Sequence, residues 1–169
     1  HNVTGVQTCA LPIFQGSRPI LCDLQALASR SFYTVPKRTV GGMDSGRVAL
    51  LLAVMEKRAG KKLFDQDVYI NVAGGLALSD PAADLAVCVA VASSLMGFTL
   101  SPTLSVMGEV GLCGEVRPVA QAERRVAECV RLGFTDILLP RQNLKRLRPI
   151  DGVRMTGVDT LMQALAVVG

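Results

Sequence analysis

Tryptophan is absent from this 169-residue chain, and the other aromatic residues are few, with two Tyr and five Phe. A core without large rings must be filled with Val, Leu, Ala and Ile, and half of the sequence is hydrophobic. Charge is sparse as well, at 19% of residues, and with so much apolar material this excludes a disordered chain. The single histidine is His1, and none of Cys9, Cys22, Cys88, Cys113 and Cys129 forms a Cys-x-x-Cys pair, so a zinc cluster is excluded. The cysteine count is odd, and Cys88 and Cys129 sit within apolar helical patterns. Buried free thiols in a reducing, cytoplasmic setting are the expectation. No apolar run spans a bilayer; the stretch 48–55 is far too short, so no membrane partner is expected. A Gly-x4-Gly-Lys-Ser/Thr phosphate loop is also missing. The glycine-rich segment 108–114 (GEVGLCG) lacks the lysine and reads as tight turns between strands.

What is present is a modest basic surplus, with a net charge of +4. It permits contact with nucleic acid or acidic partners without requiring it. The first fourteen residues, HNVTGVQTCALPIF, differ in character from the rest and resemble a translated sequencing adaptor. They do not make a signal peptide, because no basic region precedes Leu11. Residues 1–14 are therefore expected to be a non-native or disordered segment with native sequence missing upstream, and 15–169 a single domain.

Strands and helices alternate along that domain. Residues 21–27 are strand-like, and 29–45 read as a polar loop or hairpin carrying Pro36, Gly41 and Gly42. Residues 47–58 (RVALLLAVMEKR) form a helix ended by Gly60, with an apolar surface wide enough to predict a mostly buried element. Val68, Ile70 and Val72 mark a strand. After Asp80-Pro81, residues 82–96 form the central core helix, nearly all Ala, Val and Leu. Short strands at 104–108 and 115–119 flank the turn 111–114. Helix 121–132 follows, with Ala122, Val126, Cys129 and Val130 on its apolar stripe and Arg124, Arg125, Glu128 and Arg131 off it. Strand 137–139, strand 153–156 and a last helix, 159–168, capped by Asp159, complete an α/β pattern.

Three segments, RTVGGMDSGRVALLLAVMEKRAG, DVYINVAGGLALSDPAADLAVCVAVASSL and MGEVGLCGEVRPVAQAERRVAECVRLGF, with DILLP after them, carry a resemblance. Over residues 17 to 150 the chain resembles the C-terminal region of the RadA/Sms family of bacterial DNA-repair ATPases, which is similar to the Lon proteolytic domain. The resemblance implies an α/β, α+β-like fold of the Lon proteolytic-domain and ribosomal protein S5 domain 2-like kind. Lon-type enzymes set a serine in a G-P-S-A-G turn and a lysine in a P-V-G-G-x-K-E-K motif. The matching residues here are Asp80-Pro81-Ala82-Ala83-Asp84 and 118–125, so Ala82 stands in the serine's place and Glu123 in the lysine's. A methyl group cannot attack and a carboxylate has no nucleophile to activate, so no peptidase activity is expected from that pair. Asp84 is expected to cap local N–H groups and Glu123 to pair with an arginine of its own helix.

The resemblance further implies a non-proteolytic scaffold and DNA-binding domain within a hexameric, DnaB-like motor acting in recombination and branch migration. Single-stranded or branched DNA, copies of the chain and a recombinase filament would be its partners. ATP with magnesium, and a four-cysteine zinc site, are implied for domains upstream and no cofactor for this one. Candidate phosphate contacts are Lys37, Arg38, Arg47, Arg141, Lys145, Arg146 and Arg148; for the 141–148 segment a solvated face explains the cations equally well. Lys61 and Lys62 read as helix-end cations. Two alternatives are a divergent Lon-type serine peptidase, for which Ser79, Ser93 and Ser94 are the substitutes, and an RNA-binding relative of ribosomal-protein domains.

Overall fold

A computed structural model describes residues 5–169. It is a mixed α/β structure built on a seven-stranded sheet, in the order β3-β4-β2-β1-β5-β8-β9. The strands are β1 (Gln7–Gln15), β2 (Arg18–Arg30), β3 (Arg38–Gly41), β4 (Gln66–Val72), β5 (Leu104–Val106), β8 (Asp136–Pro140) and β9 (Arg154–Val158). A separate hairpin joins β6 (Glu109–Val110) to β7 (Val116–Arg117). Strand β2 pairs antiparallel with β1 and β4, and the remaining pairings in the large sheet are parallel.

Helices cover both faces. Helices α1 (Ser45–Ala59), α2 (Asp84–Met96) and α5 (Leu161–Val168) pack in the larger core with Leu11, Leu24, Val106 and Leu138. On the other face, α3 (Ala122–Arg131) and the short α4 (Arg141–Leu144) enclose a smaller cluster around Met107, Val126, Cys129, Ile137 and Leu139. The period-two alternation of β8 decides this division: Leu138 points one way, and Ile137 and Leu139 the other.

Helix α2 is the centre of the larger core, as its composition predicts: every residue from Asp84 to Ser93 is buried. Helix α1 departs from expectation, because only Val48, Leu51, Leu52, Val54 and Met55 are buried and the rest of its surface borders solvent. The alanines at 49 and 53 widen its apolar stripe without needing burial. Asp44 caps α1 by accepting from Arg47 N at 2.9 Å, and Gly60 closes it at φ +66°, the left-handed conformation that glycine serves.

Three further expectations are corrected. Residues 7–14 fall in the segment expected to be non-native or disordered, and they make up all of β1 but its last residue, with Cys9, Leu11 and Ile13 in the core. Their alternation with Thr8, Ala10 and Pro12 is a strand pattern that the proline obscures. Residues 1–4 lie outside the described residues. The polar stretch 29–45 contains the edge strand β3, which pairs with β4 from Arg38↔Val68 to Gly41↔Asn71. At α5 the cap is Thr160, whose hydroxyl accepts from Gln163 N at 3.1 Å; Asp159 instead pairs with Arg141.

Cys9, Cys22, Cys88 and Cys129 are buried and Cys113 is exposed. Burial, helped by nearby Asp23, pushes the Cys9 thiol up to about 12 and also raises that of Cys22. Burial raises Cys88 as well, and lifts Cys129 to about 11. Reactivity follows the thiolate. In native protein one thiol of five is therefore expected to react rapidly with a maleimide at neutral pH, and Cys113→Ser to remove it. Fast labelling of a second thiol in the folded state would contradict the packing.

Candidate functional site

The turn that matches the peptidase nucleophile motif lies between β4 and α2. Pro81 opens a single 3-10 turn, Pro81–Ala83, that runs directly into α2. Proline has no N–H to leave unsatisfied there, and Asp80 before it accepts from Ala82 N at 3.0 Å. Ala82 is buried, and its carbonyl accepts from Gly108 N at 3.0 Å. The methyl group in the serine's place is therefore packed away rather than presented.

Arg125 of α3 faces this turn. Its guanidinium donates to Asp80 Oδ2 at 2.7 Å and to Oδ1 at 3.3 Å, with further bonds to Pro12 O and Ala120 O. The side chains of the pair are 4% and 11% exposed, so Arg125 is buried and solvent reaches only the Asp80 side of the bridge. Burial favours the neutral form of the Asp80 carboxyl. The bond from Arg125 and the N–H groups of Ala82 and Phe14 outweigh it, holding the carboxyl below the ordinary aspartate range. The sequence places Arg125 off the apolar stripe of α3, and the structure corrects this. The signal was its spacing, three after Ala122 and four before Cys129, both buried.

Glu123 points elsewhere. It is exposed and lines a groove of about 440 Å³ with Val126, Arg146, Leu147 and Arg148, and among the described residues it makes no ion pair. The arginines of its helix are engaged elsewhere: Arg124 bonds Gln121 Oε1 and Ser17 O, Arg125 pairs with Asp80 and Arg131 with Glu128. Gln121, in the place of the motif's second glycine, holds φ +54°, a conformation uncommon for a side-chain-bearing residue.

A second buried acid anchors the start of α2. Asp84 accepts from Arg47 Nε at 3.0 Å, from Arg47 Nη2 and from Val110 N at 3.0 Å, and Arg47 also reaches Val110 O. Asp84 thus serves a distant strand and a helix rather than capping its own N-terminus. These residues border an open cleft of about 620 Å³, whose walls include Met43, Asp44, Arg47, Ser79, Asp80 and Asp84. Ser79 is its one hydroxyl and Arg47 its one cation, and a guanidinium cannot become the neutral base that a serine nucleophile needs. Ser93 and Ser94 bond Phe98 O and Gly5 O, away from this cleft.

The candidate phosphate contacts divide into two groups. Arg38 is committed to backbone carbonyls, those of Gln66 and of Leu63 at 2.9 Å; Arg47 is committed to Asp84, and Arg141 to Asp159 at 2.9 Å. Lys37 is exposed, with its Nζ 4.3 Å from the Tyr33 ring. Lys145, Arg146 and Arg148 are exposed and have no ion-pair partner among the described residues. Asn143, between them and α3, exchanges bonds with Val119 N at 2.8 Å and O at 3.0 Å, which holds this segment against the α3 approach. Among the described residues, no group of three metal-ligating side chains comes together, and no helix is long and apolar enough to cross a membrane.

Residues 47–164 match the Lon protease (S16) C-terminal proteolytic domain. Over 90% of its length the chain is 43% identical to the DNA repair protein RadA of Halalkalibacterium halodurans, covering 34% of that protein. Over 89% it is 44% identical to the DNA repair protein RadA of Bacillus subtilis, covering 33%. The corresponding protein of Streptococcus pneumoniae is 42% identical over 89% of the chain, covering 36% of that protein. The chain thus spans about a third of the length of the curated relatives it matches. From the buried alanine in the nucleophile turn to the matched segments on either side of it, the chain belongs to the Lon C-terminal proteolytic-domain family, as the Lon-like domain of a RadA-type protein.

Proposed function

We propose that this domain is a non-proteolytic scaffold and DNA-contacting module of a RadA-type DNA-repair ATPase. The observation that carries the reading is the exchange at the dyad position, where the serine's place holds buried Ala82 and the lysine's holds exposed Glu123. Of the basic groups that face this turn, Arg125 is locked onto Asp80 and Arg47 onto Asp84. Such an arrangement retains the fold of a peptidase and gives up its nucleophile. In the parent protein we assign ATP, magnesium and zinc to other domains, and a hexameric ring as the assembly in which this domain acts.

The DNA contact rests on the unpaired cations Lys145, Arg146 and Arg148 and on Lys37. Such groups bind phosphates irrespective of sequence. Affinity for a single strand should fall with salt, at a log–log slope of about −0.7 per phosphate neutralised. Replacing Lys145, Arg146 and Arg148 together with glutamine is expected to make the slope shallower by about 2. Fluorescence anisotropy with a labelled oligonucleotide across a salt series checks this, and an unchanged slope removes the segment from the interface. A serine-reactive fluorophosphonate should leave the protein unlabelled. Stoichiometric labelling abolished by Ser79→Ala would establish the peptidase reading instead.

A further inference from the structure

The chain has seven aromatic side chains, and three of them, Phe32, Tyr33 and Phe64, stand exposed in two adjoining connections. Phe32 is 97% exposed, which is unusual for a large ring in a protein with so few. The two connections, 31–37 between β2 and β3 and 60–65 between α1 and β4, are fastened together. Ser31 N donates to Asp65 O at 2.8 Å, and Arg38 holds Leu63 O at 2.9 Å.

The exposed charges around the rings are positive, namely Arg30, Lys37 and Lys62, and they outnumber the half-exposed Asp65 beside Phe64. Lys37 lies over the Tyr33 ring at 4.3 Å. The neighbouring Asp67 is buried and its carboxylate is occupied by Lys37 N at 2.7 Å. Rings interleaved with cations match the chemistry of an unpaired nucleic-acid strand, whose bases stack on aromatic faces while its phosphates meet lysine and arginine. A duplex keeps its bases stacked inside and has no use for the rings. A symmetric contact with a second copy would set these cations against their own counterparts.

We propose that these two connections form a base-stacking platform for single-stranded nucleic acid, with Phe32 and Tyr33 stacking on bases and Arg30, Lys37 and Lys62 holding the flanking phosphates. This rests on the nucleic-acid reading above and adds a location and a mode. The platform lies at the β3 edge of the sheet, six strand intervals of about 4.8 Å from the β9 edge beside the 141–148 segment.

The absence of tryptophan from the whole chain supplies the test. Phe32→Trp introduces a single indole at a site with no packing to disturb. Adding unlabelled oligodeoxythymidylate to this variant is expected to quench its emission, and an abasic strand of equal length to quench it far less. Phe32→Ala with Tyr33→Ala should weaken oligodeoxythymidylate binding on the order of tenfold per ring while leaving the salt slope unchanged. Salt-dependent binding by wild type with no quenching and no loss in the double variant overturns the platform alone. Failure of the wild-type chain to bind at any salt concentration overturns the platform and the nucleic-acid reading together. Light scattering on the double variant completes the test: a fall in oligomer size would assign the rings to a subunit interface and overturn the platform.

Discussion

Asp84→Ala is expected to remove about 3–5 kcal/mol of folding stability, the largest loss of any single change outside the apolar core. The carboxylate is only 2% exposed, and it answers two guanidinium N–H groups and the Val110 N–H at once. Alanine leaves Arg47 without its counter-ion and the Val110 N–H without an acceptor, and each orphaned group carries its own desolvation cost. A domain of this size has about 5–15 kcal/mol in total, so the loss is a large share of it. Urea titration checks the value, and a loss below about 1 kcal/mol would show that the pair is solvated. Arg47→Ala in the Asp84→Ala background should cost much less than it does alone, because the interaction is already gone.

Arg125→Ala should cost less, about 1–3 kcal/mol, for a related reason with an additional pH signature, because Asp80 borders the open cleft and keeps the N–H groups of Ala82 and Phe14. It strands Asp80, which is 11% exposed. Substituting Met at 125 together with Ala at 80 should recover part of the loss, since removing both charges removes the desolvation along with the attraction. The pH dependence has a definite sign. The Asp80 carboxyl is held lower in the folded protein than in the unfolded chain, where an aspartate titrates near about 3.9. Its contribution is therefore complete above that value and is lost as pH falls from about 4 through the folded value. Urea midpoints measured from pH 6 down to pH 3 should fall more gently for Asp80→Asn than for wild type. Parallel curves would mean that other carboxylates govern the acid limb.

The elements that sequence reasoning located well are those where local signals agree. Helix α1 has its apolar run and its terminal glycine, and α2 has Pro81 and an unbroken apolar run. The turn before α2 was legible too, because Asp80-Pro81 marks the helix start that the structure shows. Less legible were features decided by partners distant in sequence. Strand β3 has four residues and forms only because β4 offers an edge. Strand β2 extends to thirteen residues, well beyond its apolar centre, because β1 and β4 pair along its full length. Arg125 reads as a surface cation until the buried Asp80 opposite it is known, and Arg38 and Arg47 read as free cations until their acceptors are placed. Charge is visible in a sequence, and its neutralising partner is not.

The two acids at the head of α2 are gripped from opposite sides. Asp84 is held by α1, which belongs to the larger core, and Asp80 by α3, which lies across the sheet in the smaller one. Neither helical layer can peel away without abandoning a carboxylate in the dry interior. The head of α2 thus acts as a clasp through the thickness of the molecule. Both faces should therefore melt as one, and any load applied to either face would be borne by the whole domain.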